Sequence, residues 1–370
     1  MLKMKRAIAL LIIMVMALGA IPAHAAGYVS IADIREETKD GWHETYTYKG
    51  EEIRVDADIE IPDVDRVPVV SIMRPDMIQP IDEPSNAKIT SFGDNVGFVS
   101  TVISEAGIFT GKSGGGRIDS VEPGALAENS PFLPGDALQF AESKIAPYIE
   151  MTGTYYRQGF MAALSRAYES SREDASGIHL DMSKPLTEMG GYHIRLNQVF
   201  YGIPLVKLDW DFVSEIKSEP TEPAYLGDIV ITVASDVDYG FRMCPAIEEG
   251  VPYENVPLVA FSDVKKEAEK LIESGYVRAV YGVALEYMAM NDPKALGEKY
   301  VLVPVWRMNA VIMQRPNDPT PSFSEADVRK NTLGGYQSAV FNAQTAKYYN
   351  PEDKNHDRKH GTYITWDEVK

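Results

Sequence analysis

The stretch Tyr300–Ile312 constrains the fold more than any other part of the chain, because it is apolar on both faces of a potential strand. One face carries Tyr300, Leu302, Trp306 and Met308, and the other carries Val301, Val303, Val305 and Val311. A strand with two apolar faces is buried on both sides. The sequence therefore predicts a central strand that is covered by further layers.

Near the N-terminus, His43–Tyr48 and Glu52–Ile61 alternate polar with apolar or aromatic residues on either side of Lys49-Gly50. This pattern predicts a β-hairpin. One face of its second strand, which we expect to be buried, carries Ile53, Val55, Ala57, Ile59 and Ile61. The other face is charged and is expected to contact solvent.

Two helices are predicted from apolar residues at helical spacing. The first begins near Asp136 and carries Leu138, Ala141, Ile145 and Tyr148. Pro147 is expected to kink its last turn or end it. The second is predicted to be capped by Ser262 and to stop at Gly275, and its apolar stripe is Val264, Ala268, Leu271 and Ile272.

Each predicted helix is followed by two long strands and a short hairpin, so the chain contains one pattern twice. Between the first helix and its strands, the polar segment Glu169–Gly191 is predicted to be a long surface excursion. The strands predicted after the first helix are Tyr192–Phe200, Ile203–Phe212, Asp228–Ala234 and Tyr239–Met243. Those predicted after the second are Val277–Met290, Tyr300–Ile312, Ala339–Ala343 and Lys347–Tyr349.

Residues 1–25 have the composition of a secretory signal peptide. A basic start at Lys3, Lys5 and Arg6 precedes the apolar run Ala7–Gly19, and Ala23-His24-Ala25 is a small-x-small cleavage site. The apolar run is too short to span a bilayer. We therefore expect cleavage after Ala25 and a secreted mature chain, in a compartment without ATP, nicotinamide cofactors or a reducing buffer.

The charge and cysteine content exclude several classes of partner and anchor. The formal net charge is −18, which argues against nucleic acid and anionic lipid as ligands. Cys244 is the only cysteine, so no intramolecular disulfide forms. It is interpreted as a buried structural thiol, with a reactive thiol beside Arg242 as the alternative. Because Ala26 follows the cleavage site, no lipid-modified cysteine is expected there, and no second apolar run is long enough for a transmembrane span.

The string Tyr192-His-Ile-Arg-Leu-Asn-Gln-Val-Phe-Tyr-Gly-Ile-Pro-Leu resembles the PepSY superfamily, the related pro-segments of secreted thermolysin-like proteases and the extracytoplasmic regulators of the Yyc two-component system. With Asp56-Ala-Asp-Ile-Glu-Ile-Pro and Tyr300-Val-Leu-Val-Pro-Val-Trp, the whole chain resembles an uncharacterised family of secreted or lipid-anchored proteins from Gram-positive bacteria. The resemblance implies non-catalytic, extracytoplasmic units that bind or restrain a partner. It supplies no catalytic residues.

Two short motifs suggest chemistry, and each has a simpler interpretation. Ala106–Ser113 fits a relaxed phosphate-loop expression, but Gly114–Gly116 follow it and oppose the helix that such a loop requires. It is interpreted as a flexible loop. His356 and His360 stand four residues apart, as two zinc ligands on a helix would, but Gly361 ends any helix. A solvated polar loop is the favoured interpretation, and zinc binding is the alternative.

The aromatic residues are interpreted mainly as core. Trp210, Tyr287 and Trp306 lie in predicted strands, where burial of large rings explains them. Trp42 and Trp366 lie near the ends of the folded part and are the better candidates for exposed contact.

The sequence therefore predicts an α+β protein with antiparallel sheets, each covered by one helix. The expected division is a signal peptide at 1–25, an N-terminal β-rich segment at 26–132, and PepSY-like units at 133–250 and 251–370. The expected function is non-enzymatic binding or regulation at the cell envelope, with an extracytoplasmic protein or envelope component as partner. The alternatives are a secreted hydrolase, which uses either a metal at His356 and His360 or a carboxylate pair, and a wall-glycan binder. We assign no catalytic, cofactor-binding or metal-ligating residue and no cofactor, and we leave the oligomeric state open.

Overall fold

The computed structural model describes residues 28–73, 88–89, 99–104, 126–127, 130–152, 155–164, 167–174, 177–187, 191–205, 227–233, 236, 238–291, 300–312, 338–349 and 365. Within these ranges the protein is α+β, with three helices and eighteen strands, most of them paired antiparallel. The predicted fold class is confirmed at this level. None of the described helices is long and apolar enough to cross a membrane.

The helices are α1 Ile31–Thr38, α2 Pro134–Thr152 and α3 Phe261–Glu273. The strands before α2 are β1 Tyr28–Val29, β2 Trp42–Tyr48, β3 Glu51–Glu60, β4 Val69–Met73, β5 Lys88–Ile89 and β6 Val99–Ser104. Those between α2 and α3 are β7 Tyr155–Leu164, β8 Ala167–Asp174, β9 Gly177–Thr187, β10 Gly191–Phe200, β11 Ile203–Pro204, β12 Asp228–Val233, β13 Asp238–Cys244, β14 Ile247–Tyr253 and β15 Leu258–Val259. The last three are β16 Val277–Asn291, β17 Tyr300–Ile312 and β18 Ser338–Asn342.

The strands form two seven-stranded sheets and two two-stranded sheets. Sheet I has the order β11-β10-β12-β13-β6-β5, with β7 also paired to β10. Sheet II has the order β14-β4-β17-β16-β3-β2, with β18 also paired to β17. All pairs in the two large sheets are antiparallel except β3 with β16, which is parallel. The two small sheets are β1 with β15 and β8 with β9.

The predicted hairpin forms β2 and β3 and is confirmed. Lys49 and Gly50 have φ values of 49° and 85°, the left-handed pair of a two-residue type I′ turn. On β3, Ile53, Val55 and Ala57 are buried. The hairpin does not stand apart, because β3 pairs with β16 and so extends sheet II.

Strand β17 occupies the centre of sheet II, as its two apolar faces predict. It pairs with β16 along one side and with both β4 and β18 along the other. Ten of its thirteen residues are buried, among them Val303 and Trp306, which are fully buried. Burial of both faces is the reason that its sequence does not alternate between apolar and polar residues.

Helix α2 covers sheet I with a stripe of Ala137, Ala141 and Ile145, all fully buried. This stripe packs on the inner positions of β10 and β12. Of the two outcomes predicted at Pro147, a kink or an end, the second is wrong, because the helix continues to Thr152. Pro147 lies on the exposed side, so its ring avoids the sheet and only one backbone hydrogen bond is lost.

Helix α3 packs on sheet II through Val264, Ala268 and Ile272, three of the four residues of its predicted apolar stripe, and the arrangement of one helix per sheet stays a prediction. The predicted cap by Ser262 is wrong. The N-cap position is Ala260, and the carboxylate of Glu37 accepts hydrogen bonds from the backbone N–H groups of Phe261 and Ser262, both at 2.9 Å. A side chain from α1 therefore caps α3, and local sequence does not reveal such a cap.

The sequence analysis missed α1, although its local pattern is clear. Ser30 and Asp33 form a capping box, in which each side chain accepts from the other residue's backbone N–H. Ile31 and Ile34 are buried against sheet II. Arg35 donates to the carbonyls of Pro62 and Val64, at 2.7 and 2.6 Å, and so ties the loop after β3 to this helix.

The segment Glu169–Gly191, predicted to be a long surface excursion, is mostly strand in its described residues, and its position at the surface stays a prediction. Strands β8 and β9 pair with each other, and β7 pairs with β10. The apolar residues Ile178, Leu180 and Met182 alternate with polar ones along β9, which is a strand pattern. In the predicted strand Ile203–Phe212, only Ile203–Pro204 is strand, and residues 206–212 lie outside the described part. Lys347–Tyr349 contributes a single bridge, between Phe341 and Tyr348.

A turn at the end of β10 joins the two large sheets. Tyr201 and Gly202 have φ values of 51° and 81° and reverse the chain into β11. The amide of the fully buried Gln198 donates to the carbonyl of Ala246 at 2.6 Å and accepts from its N–H at 2.9 Å. Phe200 and Ile203 lie in the core of sheet II. The segment from Gln198 to Ile203 therefore connects the two large sheets.

The N-terminal segment contributes to both sheets. Strands β2, β3 and β4 belong to sheet II, whereas β5 and β6 belong to sheet I. Strand β1 pairs with β15, directly before α3. The domain limits 26–132, 133–250 and 251–370 remain predictions.

Candidate functional site

Most of the predicted candidate residues lie outside the described part of the chain. This holds for the signal peptide, Ala106–Ser113, His356 with His360, and Trp366. Cys244 is the last residue of β13 and pairs with Asp228 of β12. Among the described residues, no group of three or more His, Cys, Asp or Glu side chains could hold a metal ion.

The prediction that Trp42 is exposed is wrong. Its side chain is 2% exposed and contacts Phe261 of α3 edge to face, with ring centroids 6.2 Å apart. Its indole N–H donates to the Tyr46 hydroxyl at 3.3 Å. Tyr287 and Trp306 are fully buried, which confirms their assignment to the core.

Strand β2 forms one end of sheet II and has an unbroken edge. All seven of its residues pair with β3 in a single register, from Trp42 opposite Ala57 to Tyr48 opposite Glu51. The two-residue turn makes Tyr48 and Glu51 a hydrogen-bonded pair, so the backbone groups of Tyr46, Glu44 and Trp42 also point toward β3. The backbone N–H and C=O groups of His43, Thr45 and Thr47 consequently point away from β3, toward the free edge of the sheet.

The outward side of β2 is accessible. His43, Thr45 and Thr47 are all exposed. Within the described part of the chain, no residue hydrogen-bonds to their outward backbone groups. The strand contains no proline or glycine. An edge of this kind can accept a further strand.

Other strands at the ends of the large sheets are less suited to strand addition. The pairing of β14 with β4 is broken twice, on either side of Gly250, and the strand contains Pro252. The pairing of β7 with β10 has a register shift, and β5 has only two residues. Bulges, prolines and short length are the usual means by which an edge avoids pairing with another chain. Strand β2 has none of them.

The inner face of β2 and helix α3 enclose a notch formed by Trp42, Glu44, Tyr46, Lys265 and Glu269. The Tyr46 hydroxyl lies within hydrogen-bonding distance of both Glu44 and Glu269, the latter at 2.9 Å. Lys265 forms an ion pair with Glu44 and lies over the Trp42 ring, 5.6 Å from its centroid. The Glu44 side chain is 44% exposed, so the notch opens to solvent.

The notch carries more negative than positive charge. Burial, together with the carboxylates of Glu44 and Glu269, raises the pKa of Tyr46 well above its usual value, so the hydroxyl stays protonated. The hydrogen bonds that Glu44 accepts from Lys265 and Tyr46 lower its pKa. One hydroxyl proton can serve only one carboxylate at a time. Lys265 is the ammonium group paired with Glu44 in the notch, whereas Lys266 pairs with Asp263 and acts on Glu269 only electrostatically.

The outer face of the hairpin carries a second polar group of side chains. His43 Nδ1 lies 2.9 Å from Asp56 Oδ1, and Arg54 donates to Asp56 Oδ2 at 2.9 Å. Gly41 has a φ of +70°, and a Cβ at this position would lie 2.6 Å from His43 Nε2. The glycine thus lets the imidazole lie against the backbone where β2 begins.

A buried ion pair on β16 and β17 was not anticipated from the sequence. Arg307 donates to both carboxylate oxygens of Glu286, at 2.6 and 2.9 Å, and also to Asn309. Glu286 is 3% exposed. Burial disfavours the charge on Arg307, but Glu286 outweighs it and raises the guanidinium pKa. The charged residues in two otherwise apolar strands were the available sequence evidence for this pair.

Comparisons with known proteins show the fold and nothing more. No family model matches the chain, and no curated protein matches it. Among solved structures, the chain is similar to the crystal structure of an uncharacterized protein from Eubacterium rectale ATCC 33656, with a TM-score of 0.50 and 12% identity. The similarity covers 80% of this chain and 90% of that one.

Proposed function

We propose that this protein is an extracytoplasmic, non-enzymatic binding or regulatory protein that takes up an extended segment of a protein partner at the edge of β2. The observation that carries the proposal is the unbroken, accessible edge of this strand. Addition of a strand to a sheet edge obtains affinity from main-chain hydrogen bonds and specificity from alternate side chains. The notch beside β2 offers a place for one of those side chains.

The backbone of β2 supports a moderate affinity. Three residues point their N–H and C=O groups outward, which allows up to six hydrogen bonds to an antiparallel segment. Each contributes about 0.5–1.5 kcal/mol net, and the loss of translational and rotational freedom opposes their sum. Side-chain contacts must therefore determine which segment is bound.

A proline at Thr45 tests this proposal, because it removes an outward N–H without removing a bond to β3. Thr45→Val is the matched control, since it keeps that N–H and suits a strand. Crosslinking in the native cell envelope is expected to capture one partner with the wild type and with Thr45→Val, but not with Thr45→Pro. The identified partner, purified, should show the same order of affinity. Equal binding by Thr45→Pro, with unchanged thermal stability, would refute the proposal.

The proposed location rests on the signal-like composition of residues 1–25. Export with cleavage after Ala25 is expected to yield a mature chain that begins at Ala26. N-terminal sequencing of the protein recovered from the medium or the envelope tests this. A chain that retains Met1 in the cytoplasm would contradict it.

The two large sheets support a further proposal, that residues 133–250 and 251–370 are related PepSY-like units. Helix α2 is followed by β10, β12 and β13, and α3 is followed by β16, β17 and β18. Each helix packs an apolar stripe on the sheet that follows it. Superposition of the two units in an experimental structure tests the relationship, and failure of the helices and their strands to superpose would contradict it.

A further inference from the structure

We infer that the segment bound at β2 is basic, with a lysine or arginine opposite Glu44 that enters the notch between β2 and α3. This inference rests on the proposed function. It adds the charge of the partner segment, which is an extended peptide with a cationic side chain near its centre.

The geometry of strand addition places a side chain of the partner at the notch. Because the backbone groups of Glu44 point toward β3, an antiparallel strand added at the free edge meets Glu44 as a non-hydrogen-bonded pair. Such residues have Cα atoms about 4.5 Å apart and side chains on the same face. The partner residue opposite Glu44 therefore projects beside Tyr46 and toward Glu269.

The charge of the notch favours a cation at that position. Glu44 and Glu269 both lie within hydrogen-bonding distance of the Tyr46 hydroxyl, whereas the ammonium group of Lys265 pairs with Glu44. A second cation would give each carboxylate a charged donor, and charge-assisted hydrogen bonds are the stronger kind. The net charge of −18 also attracts basic segments over longer distances.

A second copy of this chain fits the same edge less well. Antiparallel pairing of two β2 strands about Thr45 would place the two Glu44 residues diagonally, about 7–8 Å apart. Two notches of excess negative charge would then lie side by side, and each chain carries a net charge of −18. Repulsion between the copies therefore favours a basic partner.

The test is a selection of displayed seven-residue peptides against the full mature chain, followed by affinity measurements on synthetic peptides. The wild type is expected to enrich a lysine or arginine at one position. Replacement of that residue by norleucine should weaken binding by about tenfold or more, as expected for a charge-assisted hydrogen bond. The double variant Glu44→Gln, Glu269→Gln should bind both peptides with similar affinity. Glu52→Gln removes an exposed carboxylate from the outer face and should keep the preference.

The possible outcomes separate this inference from the proposed function. Peptides that bind the wild type but not Thr45→Pro, without a basic preference, would overturn the inference and leave edge binding intact. A basic preference that persists in the double glutamine variant would also overturn it. Absence of peptide binding, or binding unaffected by Thr45→Pro, would refute both. A wild-type dimer that Thr45→Pro converts to a monomer would assign the edge to a second copy.

Discussion

Glu286 and Arg307 place opposite charges inside sheet II, on neighbouring strands. The two hydrogen bonds between them satisfy both oxygens of Glu286. A buried ion pair of this kind contributes little compared with an apolar pair, but removal of one partner leaves the other charge without compensation. The pair therefore makes these two positions intolerant of single substitutions.

Glu286→Ala is expected to lower the free energy of unfolding by about 3–5 kcal/mol, because Arg307 would remain buried without its counterion. Urea denaturation measures this change. Glu51→Ala is the control, since Glu51 forms an exposed ion pair with Arg278 and should change stability by less than about 1 kcal/mol. A similarly small loss of stability in Glu286→Ala would contradict the argument that Arg307 depends on this counterion.

The pKa of Glu44 gives the notch a pH dependence. Since its folded pKa is lower than the ordinary value of 4.5, ionised Glu44 stabilises the fold above that value. This stabilisation is lost as the pH falls below 4.5 toward the lower folded pKa. Wild type is thus expected to exceed Glu44→Gln in stability at neutral pH and to match it in acid. NMR titration of the Glu44 carboxyl group checks the direction, and a folded pKa above 4.5 would contradict it.

Among the larger elements, the end of α3 shows how one glycine positions the hairpin. Gly275 follows the C-cap Ser274 with a φ of +75°, a conformation that favours glycine. A Cβ at this position would lie 2.4 Å from the Tyr48 ring. The ring can therefore pack against the backbone at the end of α3, and this contact fixes the tip of the β2–β3 hairpin.

Gly275→Ala is expected to destabilise the protein by about 1–3 kcal/mol, because it combines backbone strain with a clash against Tyr48. Thermal unfolding measures the loss. Gly135→Ala in the first turn of α2 is the matched control, since no atom lies within 4 Å of the added Cβ. That substitution should be neutral or stabilising by up to about 1 kcal/mol. Equal effects at the two positions would contradict the argument.

The elements that the sequence predicts well are those with a local cause. The alternation and the Lys49-Gly50 turn predict β2 and β3, and the apolar stripe predicts α3. The cap of α3 was missed because it comes from Glu37, 224 residues before Phe261. The notch could not be anticipated for the same reason, since Glu269 meets Tyr46 across 223 residues. Burial of Trp42 likewise involves Phe261, which lies far away in the sequence.

Over the whole molecule, the turn after β10 connects two cores. Gln198 belongs to sheet I and bonds to Ala246, which is buried in the core of sheet II. Phe200 and Ile203 continue into that core. This connection couples the stability of one sheet to that of the other.

Gln198→Ala is expected to leave the N–H and carbonyl of Ala246 buried without their present partner, at about 1–3 kcal/mol each. The wild type should unfold in one thermal transition. The variant should begin to unfold at a lower temperature, and its two sheets should unfold in two separate transitions. Calorimetry, with tryptophan fluorescence as a second probe, distinguishes these cases. Asn197→Ala, whose side chain is half-buried, should change stability little. Wild-type behaviour of Gln198→Ala would contradict the coupling.

The parallel pairing of β3 with β16 joins two segments that lie far apart in the sequence. Arg54 lies opposite Ala279, so the hairpin reaches its final neighbours only after residue 279 has been synthesised. A nascent chain that stops before residue 261 holds β2 and β3 but lacks both β16, which pairs with the other side of β3, and the helix α3 that shapes the notch. If the proposed edge binding is correct, chains that end before residue 261 are expected to bind the partner more weakly than chains that extend through β16.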